Sequence, residues 1–224
     1  EAVSLPFVFT GREQAFKVMD GKVGDLLNAK LAKKGYIALG YMELGSRNIT
    51  NNKRPIKTKA DLKGLKIRVM GNPVHVAAFR AFGANPSPIA YNELYGALQT
   101  KVVDGAEAAN TNYYGKKFYE VAGYWAQVGW LNIMAPVIMS EKKLKSLPAD
   151  IQKIVLQAGL EAAEYQRALY IQADKENFWK LLASGVKVTY MDPAPFREAS
   201  KSVYAEFLKS DLEKNLLAAI KAAK

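Results

Sequence analysis

Two arginines carry the most chemistry in this sequence. Arg68 lies in Ala60-Asp61-Leu62-Lys63-Gly64-Leu65-Lys66-Ile67-Arg68-Val69, near the end of an apolar strand that follows a short capped turn. A guanidinium stays charged at any ordinary pH, and its planar fork can meet both oxygens of a carboxylate at once. Arg47 follows a Gly-Ser pair just beyond the apolar run ending near Met42, so it also stands at the C-terminal edge of an expected strand. In α/β sheets that edge lines the ligand crevice, and two arginines at two such edges could clamp one small acid. For Arg68 a structural salt bridge is the open alternative. Tyr91 precedes an expected helix start at Asn92; its ring could wall a site and its hydroxyl donate to a ligand oxygen, or it could be ordinary core. Glu107 ends a short strand and could accept from a ligand hydroxyl or orient an arginine. Asn110, Asn112, Tyr113 and Tyr114 follow in a polar-aromatic loop, a composition suited to polar solutes.

Catalytic parts are scarce. The chain has no Gly-x-Ser-x-Gly, P-loop or Gly-x-Gly-x-x-Gly, and no metal-spaced His/Cys set. The single histidine, His75, falls in the first turn of the helix opened by Pro73 and is expected at the surface or at a pocket rim. Acid pairs such as Glu93 and Asp104 read as caps or ion pairs of a packed fold. The residues therefore point to binding of an acid without chemistry upon it, with no cofactor and no metal. The alternative is an α/β enzyme acting on an anionic small molecule, which turnover of a candidate acid would reveal.

The elements that must hold these residues alternate. Gly11 to Gly35 reads as helix or as two helices broken at Gly21, and Tyr36 to Met42 as a buried strand. Gly45 to Thr58 is a polar stretch, Lys59 to Lys63 a helical turn and Leu65 to Met70 a strand. Pro73 opens a helix to Phe82 that Gly83 ends, and Asn92 caps another to Thr100. Val102 to Ala108 is a short strand, Tyr113 to Val121 helical, and Trp125 to Ser140 one or two strands interrupted by Pro136. This alternation predicts α/β with a largely parallel sheet. Pro148 to Ser184 contains no internal proline and one glycine, Gly159. Its apolar stripe runs through Ile151, Val155, Ala158, Ala162, Tyr165 and Leu169, then moves to Ile171, Phe178 and Leu182 on the opposite side. A single helix with that pattern packs on two bodies; the alternative is two helices with a break near Tyr170. Val186 to Tyr190 is a strand, and Phe196 to Leu208 and Leu212 to Ala222 are amphipathic closing helices.

Composition bounds the class. The 224 residues are half apolar and about a quarter charged, as in ordinary globular chains. There is no cysteine, no apolar run near the roughly 20 residues that span a bilayer, and no leader before Glu1, as in a mature or trimmed chain. The formal charge of +11 comes from lysines scattered along helical faces, such as Lys30, Lys33 and Lys34. Without an aromatic–basic ribbon or an Arg-rich helix, this argues against nucleic acid and suits either a mild field for anionic solutes or a plain soluble surface.

The residues also resemble a family. Leu5-Pro6-Phe7, Gly45-Ser46-Arg47-Asn48-Ile49-Thr50-Asn51, Arg54-Pro55-Ile56, the Asp61 to Val69 passage, Gly83-Ala84-Asn85-Pro86, Tyr91 to Thr100 and Val103-Asp104-Gly105-Ala106-Glu107 stand in the order of the extracytoplasmic substrate-binding proteins of TRAP (tripartite ATP-independent periplasmic) transporters. The resemblance implies a two-domain α/β periplasmic-binding-protein-like fold with a ligand cleft between domains and a long domain-spanning helix. It implies an organic acid (a sugar acid or a hydroxy/dicarboxylate) held by an arginine that maps onto Arg68, with Arg47 in support. It also implies integral-membrane permease subunits as partners and a periplasmic location. The candidate ligand-binding set is Arg68, Arg47, Tyr91, Glu107, Asn110 and Asn48. Two departures stand out. Members read Asp-Gly-x-Glu-Asn where this chain has Ala108 after Glu107; that wall should be less polar, or Asn110 or Asn112 takes over, and sialic-acid-type specificity is not expected. Members also begin with further strand–helix units. The expected division is residues 1–44 with 134–172 as an incomplete domain I and 45–133 with 173–224 as domain II.

Overall fold

The computed structural model describes residues 1–223. Helices α1 (Arg12–Met19) and α2 (Lys22–Ala32) are separated at Gly21, as the sequence suggests, and lead into β1 (Tyr36–Ser46). β1 pairs antiparallel with β7 (Asn132–Ser140) in a two-stranded sheet. The register shifts between Ala38 and Gly40 and again between Glu43 and Ser46, so β1 bends twice. β1 is half-exposed along much of its length instead of buried. β7 runs straight through Pro136, because each strand of a two-stranded sheet keeps a free edge where a missing N–H costs no ladder bond.

A six-stranded sheet holds the candidate residues. Its order is β4 (Asn85–Pro88), β3 (Lys66–Val69), β5 (Gly105–Ala108), β2 (Asn48–Asn51), β6 (Tyr124–Gln127) and β8 (Lys187–Tyr190). The sheet is mixed, not largely parallel: β2 is antiparallel to both β5 and β6, while β3–β4, β3–β5 and β6–β8 are parallel. β2 lies in the stretch expected to be irregular and β4 in a Pro-rich one; as an edge strand β4 tolerates Pro86 and Pro88. The remaining helices are α3 (Pro73–Ala81), α4 (Leu94–Gln99), α5 (Asn110–Gly115), α6 (Glu141–Lys145), which packs on β7, α8 (Ala194–Phe207), which packs on α3, and α9 (Asp211–Ala222). Asn72 caps α3 by accepting from the Val74 amide, with Pro73 at the first helical position. Asn92 is no cap: it lies inside a 3-10 turn, Tyr91–Glu93, that precedes α4.

The long segment is one helix, α7 (Ala149–Ala183), continuous through Tyr170. At ~1.5 Å per residue it is on the order of 50 Å long. Its buried face differs from the expected stripe. Ile151, Ala158, Ala162, Tyr165 and Leu169 are exposed, and Gly159, Ala163, Gln166, Arg167 and Tyr170 face the protein instead. Close approach explains this choice. A β-carbon on Gly159 would lie 2.5 Å from Leu39 Cβ, and one on Gly40 would lie 2.8 Å from Ala163 Cβ, so β1 accepts only small or hydrogen-bonding residues there. The second half of α7 turns Phe178 and Leu181 toward the core of Leu94, Tyr113, Phe118 and Trp125, where Tyr113 stacks on Trp125 at 4.2 Å. The larger core centres on Trp130, met edge-on by His75, Phe79 and Phe82.

Candidate ligand site

Register brings the charged candidates together. β5 lies between β3 and β2, with Arg68 opposite Ala106 and Ile49 opposite Glu107. Glu107 therefore stands between Arg68 on one neighbouring strand and Arg47, just before the other. All three side chains are buried, at 3%, 1% and 6% exposure for Arg68, Glu107 and Arg47.

The two arginines are held differently. Arg47 Nε donates to Glu107 Oε2 at 2.5 Å, one terminal nitrogen donates to the Glu107 carbonyl at 3.0 Å, and the other donates to Asn112 Oδ1 at 3.2 Å. Its backbone is fixed too, with N–H to the Leu131 carbonyl at 2.7 Å and C=O accepting from the Trp130 amide at 3.0 Å. Arg68 donates Nε to the Ile89 carbonyl at 2.8 Å, and its Nη1 lies 3.8 Å from Glu107 Oε1. Among the described residues neither terminal nitrogen of Arg68 donates a hydrogen bond. Arg47 thus uses all three of its nitrogens in hydrogen bonds within the protein, whereas Arg68 is aimed by one hydrogen bond and its terminal nitrogens have only the longer ion pair to Glu107. Burial lowers the Arg68 pKa from its usual value and the Arg47 charge adds to this, while the negative charge of Glu107 and Tyr91 oppose it.

Tyr91 covers the cluster. Its ring centroid is 5.9 Å from the Arg68 guanidinium carbon, and its hydroxyl accepts from Asn112 Nδ2 at 3.3 Å. Asn112 thereby bridges Arg47 and Tyr91. The other two candidates have local duties. Asn48 Oδ1 accepts from the Val128 and Gly129 amides at 2.9 Å each, and Asn110 Oδ1 accepts from Trp125 Nε1 at 2.9 Å and Gln127 Nε2 at 3.2 Å. Neither is hydrogen-bonded to the arginines. Ala108 is buried at the end of β5, and of the two asparagines expected to replace its missing amide, Asn112 is the one tied to Arg47. His75 is not at the surface: it is 2% exposed, and burial pushes its pKa down to about 4, with the Arg47 and Arg68 charges acting the same way and Glu107 opposing. It lines a separate cavity of about 130 Å³ with Met70, Asn72 and Leu131, which touches neither arginine. Sequence reasoning gave no role to Tyr170 or to the Ile89 carbonyl. Both act through tertiary contacts that leave no local signature.

A buried guanidinium whose terminal nitrogens donate no hydrogen bond, with an acid 3.8 Å away and an aromatic ring facing it, is chemically able to take an anion. In comparison with known proteins, residues 1–211 match the model for bacterial extracellular solute-binding protein, family 7. The chain belongs to this family. It is the binding-protein family of TRAP transporters, and its members are binding proteins, not enzymes. The fold is accordingly the mixed α/β architecture of TRAP periplasmic binding proteins, with the 35-residue helix α7 running through it. The chain is 36% identical over 198 residues to the 2,3-diketo-L-gulonate-binding periplasmic protein YiaO of Escherichia coli, covering 88% of this chain and 60% of that protein. It is 32% identical over 222 residues to the C4-dicarboxylate-binding periplasmic protein DctP of Vibrio cholerae, covering 98% and 66%. Among solved structures it matches a TRAP periplasmic solute-binding protein from Roseobacter denitrificans with bound β-D-glucuronate (TM-score 0.96, 35% identity, 100% and 74% covered). A second, from Sulfitobacter sp., holds β-D-galacturonate (TM-score 0.95, 35% identity, 99% and 74% covered). The family member described here thus spans about 60% of the length of YiaO.

Proposed function

We propose that this chain is the acid-gripping part of a periplasmic solute-binding protein that captures a small sugar acid and delivers it to a TRAP permease in the membrane. The observation that carries the reading is the terminal pair of the buried Arg68 guanidinium, which donates no hydrogen bond, is oriented through Nε by the Ile89 carbonyl and faces Tyr91. Arg68 takes the carboxylate end-on; Arg47 and Glu107 brace it; Tyr91, Asn112 and the unbonded Nδ2 of Asn110 meet the hydroxyl-bearing part. Asn48 serves by fixing the Val128–Gly129 turn beside β2. Support for a uronic acid comes from the relatives, whose solved structures hold glucuronate and galacturonate.

The lobes follow the sheets in this reading. Residues 1–44 with 134–172 carry most of the β1–β7 pair and the first two thirds of α7, and 45–133 with 173–224 carry the larger sheet. α9 crosses this division, packing on α2 and on the first residues of the chain. Closure of the two lobes stabilises the bound form by mass action.

The test is a thermal-shift and calorimetric series on the full-length protein with D-glucuronate, D-galacturonate, succinate and neutral D-glucose. An acid present at a hundredfold its dissociation constant adds about 2.7 kcal/mol, a rise of roughly 5–10 °C for a chain of this size. The proposal fails if no acid raises the melting temperature, or if Arg68→Ala leaves the affinity intact.

A further inference from the structure

We infer that Tyr170, on the long helix, is a positioning residue for the acid site: its hydroxyl holds together the two segments that deliver Arg47 and Asn112. The inference rests on the function proposed above and adds a residue that touches neither arginine through a hydrogen bond.

The geometry is specific on both sides. Tyr170 Oη is hydrogen-bonded to Thr111 Oγ1, and either oxygen can donate. Thr111 lies between Asn110, which binds Trp125, and Asn112, which binds Arg47 and Tyr91, so the bond fixes the first turn of α5. On the other side the same phenol packs against Gly45, two residues before Arg47. Gly45 has φ +87°, and a β-carbon there would lie 2.6 Å from Tyr170 Oη and 2.7 Å from Ala109 Cβ. One hydroxyl therefore occupies the space between the end of β1 and the start of α5. One helical turn earlier, the Gln166 amide pairs with Glu43 as a strand would, accepting from its N–H at 2.9 Å and donating to its C=O at 2.9 Å. Gln166 and Tyr170, at i and i+4, face the same way. A tilt of α7 against β1 is transmitted at Gly45 and Thr111 to the braces of the arginine cluster. Burial raises the phenol pKa to about 12, so the group remains a hydroxyl throughout the physiological range.

The experiment compares wild type with Tyr170→Phe, Thr111→Val, Thr111→Ser and the double variant Tyr170→Phe/Thr111→Val in the full-length protein. D-Glucuronate affinity is read by calorimetry, alongside the melting temperature. Losing one hydrogen bond should weaken binding about three- to tenfold. The double variant should lose no more than either single, and Thr111→Ser should restore binding where Thr111→Val does not. A ligand-free readout accompanies this: the NMR resonance of Arg47 Nε–H, which should move in Tyr170→Phe and stay in place in Tyr165→Phe, a change at an exposed site on the same helix. Wild-type affinity in both single variants with an unmoved Arg47 resonance overturns the inference. If wild type itself binds no uronate, the proposed function falls, and the Arg47 resonance alone then decides the inference.

Discussion

Two buried groups should make stability respond to pH in opposite directions, and removing either should unmask the other. Glu43 is 1% exposed; burial, joined by the Asp174 charge, pushes its pKa up to about 7 despite Arg12 at 3.2 Å and Arg167 nearby. His75, 2% exposed, is pushed down to about 4. In the unfolded chain these groups titrate near 4.5 and 6.5. Between pH 4.5 and 7 native Glu43 holds a proton that the unfolded chain has released, so its contribution is full below 4.5 and is lost as pH rises through 7. Between pH 4 and 6.5 the unfolded chain binds a proton on residue 75 that the native state refuses, so that contribution is full above 6.5 and is lost as pH falls to 4. Each displacement is worth roughly 3 kcal/mol at about 1.4 kcal/mol per pH unit, and the two slopes cancel where they overlap. Urea unfolding from pH 4 to 8 of wild type, Glu43→Gln and His75→Phe measures this, with each variant read as its difference from wild type. Relative to wild type, Glu43→Gln should gain stability as pH rises from 4.5 to 7, and His75→Phe should lose it as pH rises from 4 to 6.5. Difference curves that are flat for both variants would refute the assignment of either proton.

Arg68→Lys keeps the charge but not the fork, and should weaken uronate binding tenfold or more, since a charged hydrogen bond is worth about 1.5–3 kcal/mol; calorimetry showing equal affinity would rule out a two-pronged grip. Glu107→Gln leaves two buried guanidinia facing a neutral amide and should cost about 3–5 kcal/mol in urea unfolding. Bound uronate should return part of that loss, because its carboxylate supplies the missing charge. Gly159→Ala places a methyl 2.5 Å from Leu39 Cβ and 2.7 Å from the Leu39 carbonyl oxygen. Such overpacking costs about 1–3 kcal/mol, so the melting temperature should drop by several degrees; an unchanged one would mean that the seam between α7 and β1 is slack.

What was legible in the sequence depended on where each element's partners lie. The start of α3 could be read because Pro73 acts on its own turn. β2 could not, because its polar residues are satisfied from far along the chain: Asn48 by Val128 and Gly129, and Thr50 by the carbonyls of Ala122 and Tyr124. Without those partners Asn48-Ile49-Thr50-Asn51 has the composition of a loop. The face of α7 was misread for a related reason. Hydrophobicity located its apolar stripe, but contact with β1 was decided by size at Gly159 and Ala163 and by the hydrogen-bonding reach of Gln166 and Arg167. The site divides along the same line. Residue type and position point to Arg47, Arg68, Tyr91 and Glu107, which the fold brings into one cluster, yet they do not separate the fully hydrogen-bonded arginine from the one whose terminal nitrogens donate no hydrogen bond. That distinction rests on strand register, which sets both arginines around Glu107, and on the Ile89 carbonyl, which takes Nε of Arg68 and leaves the terminal nitrogens unbonded. A backbone oxygen at residue 89 has no side-chain signature, so the difference in hydrogen bonding between the two arginines becomes readable only once the chain is folded.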